Sequence, residues 1–143
     1  MKKTIVCIFG CWDLLHVGHL TILERAKTFG DILVVGVFAD SLIASKEYKA
    51  RPPIISCEDR CRMLQALKCV DLTVILEERE YLPIFKKFDV DVLVVGEDWG
   101  SHRRNIESFE YMKLNNKRFI QLPYTERVST TKIKQQIINS YSL

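Results

Sequence analysis

Short apolar runs alternate with longer amphipathic stretches along the whole chain. Thr4 to Phe9 is an apolar run that reads as a buried strand, and His16 to Phe29 carries Leu20, Leu23 and Ala26 at helical spacing. Gly30 stands where a C-terminal glycine closes a helix. Ile32-Leu33-Val34-Val35-Gly36-Val37 follows as a continuous apolar run of the kind found in central parallel strands. A short helix is expected over 39–45, then a polar connection, Lys46 to Ile55, holding Arg51-Pro52-Pro53. Ser56-Cys57-Glu58-Asp59 has the form of a helix N-cap with an acid three residues on, and the helix is expected to run to about Cys69. Strands are expected at Leu72 to Leu76, Asp91 to Gly96 and Arg118 to Leu122. Helices are expected around Tyr81 to Phe88, across Asn105 to Leu114, and from Ser129-Thr130-Thr131 to Asn139.

Strands alternating with helices imply an α/β fold: a single Rossmann-like, doubly wound domain with a five-stranded parallel sheet and helices on both faces. No linker, repeat or low-complexity tract divides residues 1–143. In such sheets ligands bind beyond the carboxyl ends of the strands, where strand order reverses. Three polar segments follow strands one, four and five: Gly10 to His19, Gly96 to Gly100, and Tyr124 to Thr131. Adjacent strands one and four would bring all three to one crevice.

Composition narrows the class. The 143 residues are 48% hydrophobic and 27% charged, which suits a globular chain able to bury roughly two-thirds of its unfolded surface. A net charge of +3, with no basic tract interleaved with aromatics, argues against nucleic acid as a partner and suits small anions. Met1-Lys2-Lys3 and the following run faintly imitate a lipoprotein signal, but the apolar part is too short. No run approaches the roughly 18–20 apolar residues of a membrane span. Five cysteines, an odd number without an export signal, point to free thiols and a cytoplasmic location. Cys57-x3-Cys61 would place two thiolates on one helix face, yet no further ligand follows at zinc-site spacing.

The chemistry concentrates at the strand-to-helix junction. His16 and His19, at i and i+3, point to the same side of a helix mouth, where unpaired N–H groups and the helix dipole favour phosphate. Gly18 has no side chain to keep a phosphate from the backbone, and Asp13 is expected to order the turn rather than act as a base. Ser129-Thr130-Thr131-Lys132 at a helix start reads by itself as an ordinary Ser/Thr cap or as a second anion cradle. It gains weight as a cradle because two helix mouths facing one crevice can clamp a triphosphate. Gly96-Glu97-Asp98-Trp99-Gly100 is either a turn round a nucleobase or ribose or plain turn chemistry, and Trp99 suits stacking or packing. Lys46 and Lys49 read as solvated surface or as mobile charges for phosphates. No P-loop, dinucleotide-binding, zinc-protease or hydrolase-elbow motif occurs in the chain.

Gly10-Cys11-Trp12-Asp13-Leu14-Leu15-His16-Val17-Gly18-His19 and Thr125 to Lys134 resemble the two signatures of the cytidylyltransferase family of HxGH nucleotidyltransferases. Leu23 to Lys27, Gly30-Asp31, Glu58-Asp59-Arg60, Val70-Asp71 and Gly96 to Trp99 match in order, and the likeness is strongest to the bacterial glycerol-3-phosphate group. The resemblance implies transfer of CMP from CTP to a phosphorylated small alcohol with release of pyrophosphate, using Mg²⁺, by a homodimer. It implies catalytic roles for His16, His19, Lys46 and Ser129, with Lys46 also meeting the acceptor. Nucleotide contacts are implied at Cys11, Trp12, His16, Gly18, His19, Lys49, Gly96, Asp98, Trp99, Tyr124, Thr125, Arg127, Ser129, Thr130 and Thr131. The family's Arg-Thr-Glu-Gly-Ile-Ser is Tyr124-Thr125-Glu126-Arg127-Val128-Ser129 here, a usual threonine is Cys11, a second lysine aligns with Leu82, and an expected arginine is Lys68. Heptose-phosphate adenylyltransferases share the Gly-Cys-x-Asp-Leu/Ile-Leu-His opening, so an adenylyltransferase acting on a sugar phosphate stands as the alternative. A non-catalytic nucleotide sensor is the other.

Overall fold

A computed structural model describes residues 1–45, 51–100 and 103–142. In chain order the elements are β1 (Ile5–Gly10), α1 (Val17–Lys27), β2 (Ile32–Phe38), α2 (Asp40–Ile43), α3 (Cys57–Gln65) and β3 (Leu72–Leu76). They continue with α4 (Leu82–Phe88), β4 (Val92–Gly96), α5 (Arg103–Leu114), β5 (Arg118–Leu122) and α6 (Thr130–Tyr141). The strands form one parallel sheet in the order β3-β2-β1-β4-β5. Order reverses between β1 and β4, as the three polar segments required.

Period-two alternation sorts the strand residues onto two faces. Val6, Ile8, Leu33, Val35, Val37, Val92 and Val94 join Ile22, Leu23 and Ala26 of α1 and Cys61 and Leu64 of α3 in one core. Cys7, Val34, Leu93 and Val95 face the other way and join Phe85 of α4, Met112 of α5 and Leu42 and Ile43 of α2. Helices therefore cover both faces. At the amino end of the sheet, acids bind the first amides of neighbouring strands: Asp31 accepts from Thr4 N (2.7 Å), Asp91 from Ile5 N (2.9 Å) and Asp71 from Leu33 N (2.7 Å).

Two local expectations need correction. Gly30 is not a left-handed cap, because no glycine has positive φ and α1 closes at Thr28 in right-handed geometry. Gly30 is small because a Cβ there would lie 2.6 Å from Val6 Cγ2 and 2.8 Å from the Thr4 carbonyl. The third helix stops at Gln65 rather than near Cys69, since tight turns at Ala66 and Leu67 send Leu67 and Cys69 back against the core.

Candidate active site

The β1–α1 loop is held in a shape its residues do not prefer. Trp12 and Leu14 have φ of 61° and 49°, a conformation costing of order 1–3 kcal/mol at a non-glycine residue. Surrounding bonds maintain it. The buried Trp12 indole donates to the Gly36 carbonyl at 3.0 Å, lying over Gly10, where a Cβ would come within 2.9 Å of the ring. Arg60, fully buried, donates to the carbonyls of Cys11 (2.5 Å) and Ile55 (2.9 Å) and to Asp40 (2.5 Å).

Asp13 is the hub of this loop. Its carboxylate accepts from Ile54 N (2.8 Å), Ile55 N (2.9 Å) and Leu14 N (3.1 Å), and Lys134 stands 3.5 Å away. Burial raises its pKa, but those amides and Lys134 outweigh burial and hold the carboxyl below its usual range. The carboxylate is spent on structure, as the sequence suggested.

The two imidazoles cap α1 reciprocally. His16 is the N-cap and accepts from Gly18 N through Nδ1 (3.1 Å), while His19 Nδ1 accepts from His16 N (3.3 Å). Each Nδ1 is thereby a lone-pair acceptor, so each neutral ring carries its proton on Nε2. The rings stack at 3.8 Å between centroids, and Trp12 meets His19 edge-on at 5.4 Å. Burial holds His16 below its ordinary 6.5, and burial together with His16 pushes His19 down to about 4. Both rings are neutral Nε2–H donors at pH 7.

This arrangement revises the reason for Gly18. Its amide is taken by His16, and a Cβ would lie 2.9 Å from His16 Cε1 and 3.1 Å from Val128. Gly18 makes room for the imidazole that replaces its amide as donor.

Opposite stands α6, whose mouth is tied to the same loop. Ser129 caps it by accepting from Lys132 N (3.1 Å), and Thr130 Oγ1 donates to the Asp13 carbonyl (2.8 Å). Its first-turn amides have no acceptor within a helix. Along the third side, Tyr124 donates through its hydroxyl to Asp98 and through its amide to Glu97 (2.9 Å). Gly96 admits that ring, since a Cβ would fall 2.5 Å from the phenol oxygen. Trp99 packs against Tyr81 and Phe119, with centroids at 6.2 and 5.7 Å.

These walls enclose a cavity of about 670 Å³ at the carboxyl ends of β1 and β4. That volume lies within the range of small-ligand sites. Of the expected residues, Cys11, Trp12, His16, Gly18, His19, Gly96, Asp98, Trp99, Tyr124, Thr125, Ser129 and Thr130 line it together. Thr131 does not, being a step further round the helix, and Arg127 lines a separate depression beside α6 with Val128, Lys132 and Ile133. Lys46 and Lys49 lie outside the described residues.

The structure adds Arg51, Arg79, Lys132, Lys134, Tyr81 and Asn105 to the lining. Lys134 was legible as the residue one turn beyond Thr130 on the same helix face. Arg79, set in the acidic run Glu77 to Glu80, carries no local signal that distinguishes it from a surface charge. Among the described residues no cluster of His, Cys, Asp or Glu could hold a metal ion, and all five cysteines are free. Asp13 and Asp98 in the cavity wall are already hydrogen-bonded, so the described lining presents no ready-made carboxylate cluster for Mg²⁺. No helix among the described residues is long and apolar enough to cross a membrane.

Comparison with known proteins agrees with this geometry. The cytidylyltransferase-like family model matches residues 7–136. The bifunctional protein HldE of Citrifermentans bemidjiense is 33% identical over 139 residues, covering 97% of this chain and 28% of the relative. That of Helicobacter pylori strain HPAG1 is 42% identical over 98 residues, or 68% of this chain and 21% of the relative. The chain thus spans about a quarter of the length of these curated relatives. Among solved structures, the lipopolysaccharide core biosynthesis protein of Thermoplasma volcanium superposes with TM-score 0.68 at 22% identity, over 87% of this chain and 98% of that one. A pantoate-β-alanine ligase from Francisella tularensis, complexed with β-γ ATP and β-alanine, gives 0.59 at 15% identity, over 92% and 68%. With its doubly wound sheet, paired imidazoles and facing helix mouths, the chain belongs to the cytidylyltransferase-like family of nucleotidyltransferases.

Proposed function

We propose that the protein transfers an adenylyl group from ATP to the phosphate of a sugar, releasing pyrophosphate. The observation that carries nucleotidyl transfer is the pair of stacked imidazoles, whose Nδ1 atoms are consumed by the backbone and whose Nε2–H groups remain as donors at the cavity facing the α6 mouth. Adenylyl rather than cytidylyl transfer is supported by the opening Gly10 to His16, which resembles that of heptose-phosphate adenylyltransferases. The run of HldE relatives supports the same choice. These comparisons favour it over transfer to glycerol 3-phosphate, which the resemblance alone suggested.

An oxygen of the acceptor phosphate attacks the α-phosphorus of ATP in line. The new P–O bond forms as the bond from the α-phosphorus to the bridging oxygen breaks, and that oxygen leaves on pyrophosphate. The acceptor is already anionic, so no protein nucleophile or base is required. Catalysis consists of positioning and charge stabilisation. His16 and His19 donate to phosphate oxygens that gain charge, and the amides at the α6 mouth hold the departing phosphates. Lys46, by resemblance, steadies the acceptor. Mg²⁺, bound to the nucleotide, offsets phosphate charge. Asp13 keeps both helix mouths in register, through its carboxylate toward residues 54–55 and its carbonyl toward Thr130.

Pyrophosphate release with ATP or CTP, against a panel of hexose and heptose phosphates and glycerol 3-phosphate, tests this reading. Turnover with ATP and a sugar phosphate is expected. Turnover only with CTP, or nucleotide binding with no turnover on any acceptor, overturns it.

A further inference from the structure

The cavity has a far wall that phosphate binding does not use. Asn105, in the first turn of α5, is 5% exposed and lines the cavity. Its Nδ2 donates to the Gly100 carbonyl at 3.2 Å, which fixes the orientation of the amide. Its Oδ1 is buried and accepts no hydrogen bond among the described residues. A buried amide oxygen without a donor is costly, so such a group is retained where a ligand supplies the donor.

The position of the wall says which ligand. The imidazoles ride on α1, whose apolar side belongs to one face of the sheet, whereas α5 buries Met112 in the core of the opposite face. Arg104, next to Asn105, pairs with Glu80 at 3.3 Å, which places the start of α5 beside residues 79–81. Arg79 and Tyr81 line the same cavity. This end therefore joins a guanidinium, an aromatic ring and a neutral acceptor, on the side of the sheet away from the triphosphate donors. That combination suits a phosphorylated polyol, with the guanidinium for charge, the ring for the carbon skeleton and the amide oxygen for a hydroxyl.

We propose that Asn105 is a specificity residue whose Oδ1 accepts a hydrogen bond from a hydroxyl of the sugar acceptor. This rests on the sugar-phosphate reading above. The test crosses wild type and Asn105→Ala with hexose and heptose phosphates and their singly deoxygenated analogues. Affinity is measured by calorimetry in the presence of a non-hydrolysable ATP analogue, and turnover by pyrophosphate release. One deoxy analogue is expected to bind wild type about 10- to 100-fold more weakly than its parent, while Asn105→Ala binds both alike. Affinity for the ATP analogue stays within about twofold in the variant, within the usual scatter of a neutral change. If Asn105→Ala does not fold, Asn105→Ser keeps a hydroxyl near Gly100 and shortens the reach toward ligand.

The inference is overturned if every deoxy analogue discriminates equally on both proteins. It is also overturned if the variant loses affinity for the nucleotide instead, which would make Asn105 a base reader. Sugar phosphates that bind in this pattern without turnover would sink the catalytic reading and leave Asn105 as assigned. No sugar-phosphate binding to wild type sinks both.

Discussion

At the residue scale, capping uses Nδ1 of each imidazole and the proposed donation to phosphate uses Nε2, so the two can be separated by substitution. Asparagine places an oxygen near the Nδ1 position and is among the best N-caps, but it has nothing at Nε2. His16→Asn and His19→Asn should keep wild-type melting behaviour and lose roughly 10²–10³ in turnover, the usual effect of removing one transition-state donor. His16→Ala should add about 1 kcal/mol of destabilisation from the lost cap. Turnover near normal in both asparagine variants would dismiss the imidazoles as donors. The same rings give stability a pH signature. Unfolded histidine takes a proton near 6.5, whereas folded His19 does so only near 4. Between these values the unfolded state binds more protons, so stability falls as pH drops through that window. Unfolding free energies from urea melts at pH 7 and 4.5 should lie closer together in His19→Asn than in wild type, by on the order of 2 kcal/mol. An unchanged pH slope in the variant would mean that the proton goes elsewhere.

At the element scale, a single buried guanidinium fixes the geometry between β1, α2 and α3. Arg60 ties the Cys11 carbonyl of the β1–α1 loop to the Ile55 carbonyl and to Asp40, whose side chain is 47% exposed. Solvent can take over Asp40, but the two carbonyls would be left without their donor. Arg60→Met should therefore destabilise by about 2–4 kcal/mol, mostly from those carbonyls, and loosen the left-handed turn at Trp12 and Leu14. A loss below about 1 kcal/mol in chemical denaturation, comparable to a routine surface substitution, would show that the loop holds its shape without Arg60.

At the scale of the whole molecule, the sheet is rigid and the last helix is lightly attached. β2 and β4 bury nearly every side chain and β1 exposes none of its residues, whereas no residue of α6 is fully buried. The ties from α6 to the β1–α1 loop include Thr130 to the Asp13 carbonyl and Lys134 to the Asp13 carboxylate. Local opening follows from sparse apolar contact. Amide exchange in α6 should be much faster than in the central strands, and MgATP should slow it selectively, because ligand binding stabilises the closed form. Equal protection of α6 with and without nucleotide would remove this helix from the phosphate site.

Legibility differed by type of contact. The apolar runs at 32–37 and 92–95 announced parallel strands because burial on both faces leaves no polar positions to alternate. The stretch Gly10 to His19 announced the strand-to-helix junction that lines the cavity, because its glycines and histidines stand between a strand end and a helix start. Gly30 and Gly18 are small for reasons the local pattern does not carry: a Cβ would strike Val6 at Gly30, and the His16 ring and Val128 at Gly18. Arg60 and Asn105 carried no local signal, since an arginine or asparagine in a helix is normally at the surface.

By itself, then, the order of apolar and polar positions determined the alternating elements, the parallel sheet and the loop that carries the imidazoles, because periodicity and capping act within a few residues. Which strands became neighbours, which nitrogen of each imidazole is taken by the backbone, and that Lys134, Arg79 and Asn105 share a cavity with them were decided only in three dimensions. Those outcomes depend on hydrogen bonds and close approaches between segments tens of residues apart, and no local pattern encodes them.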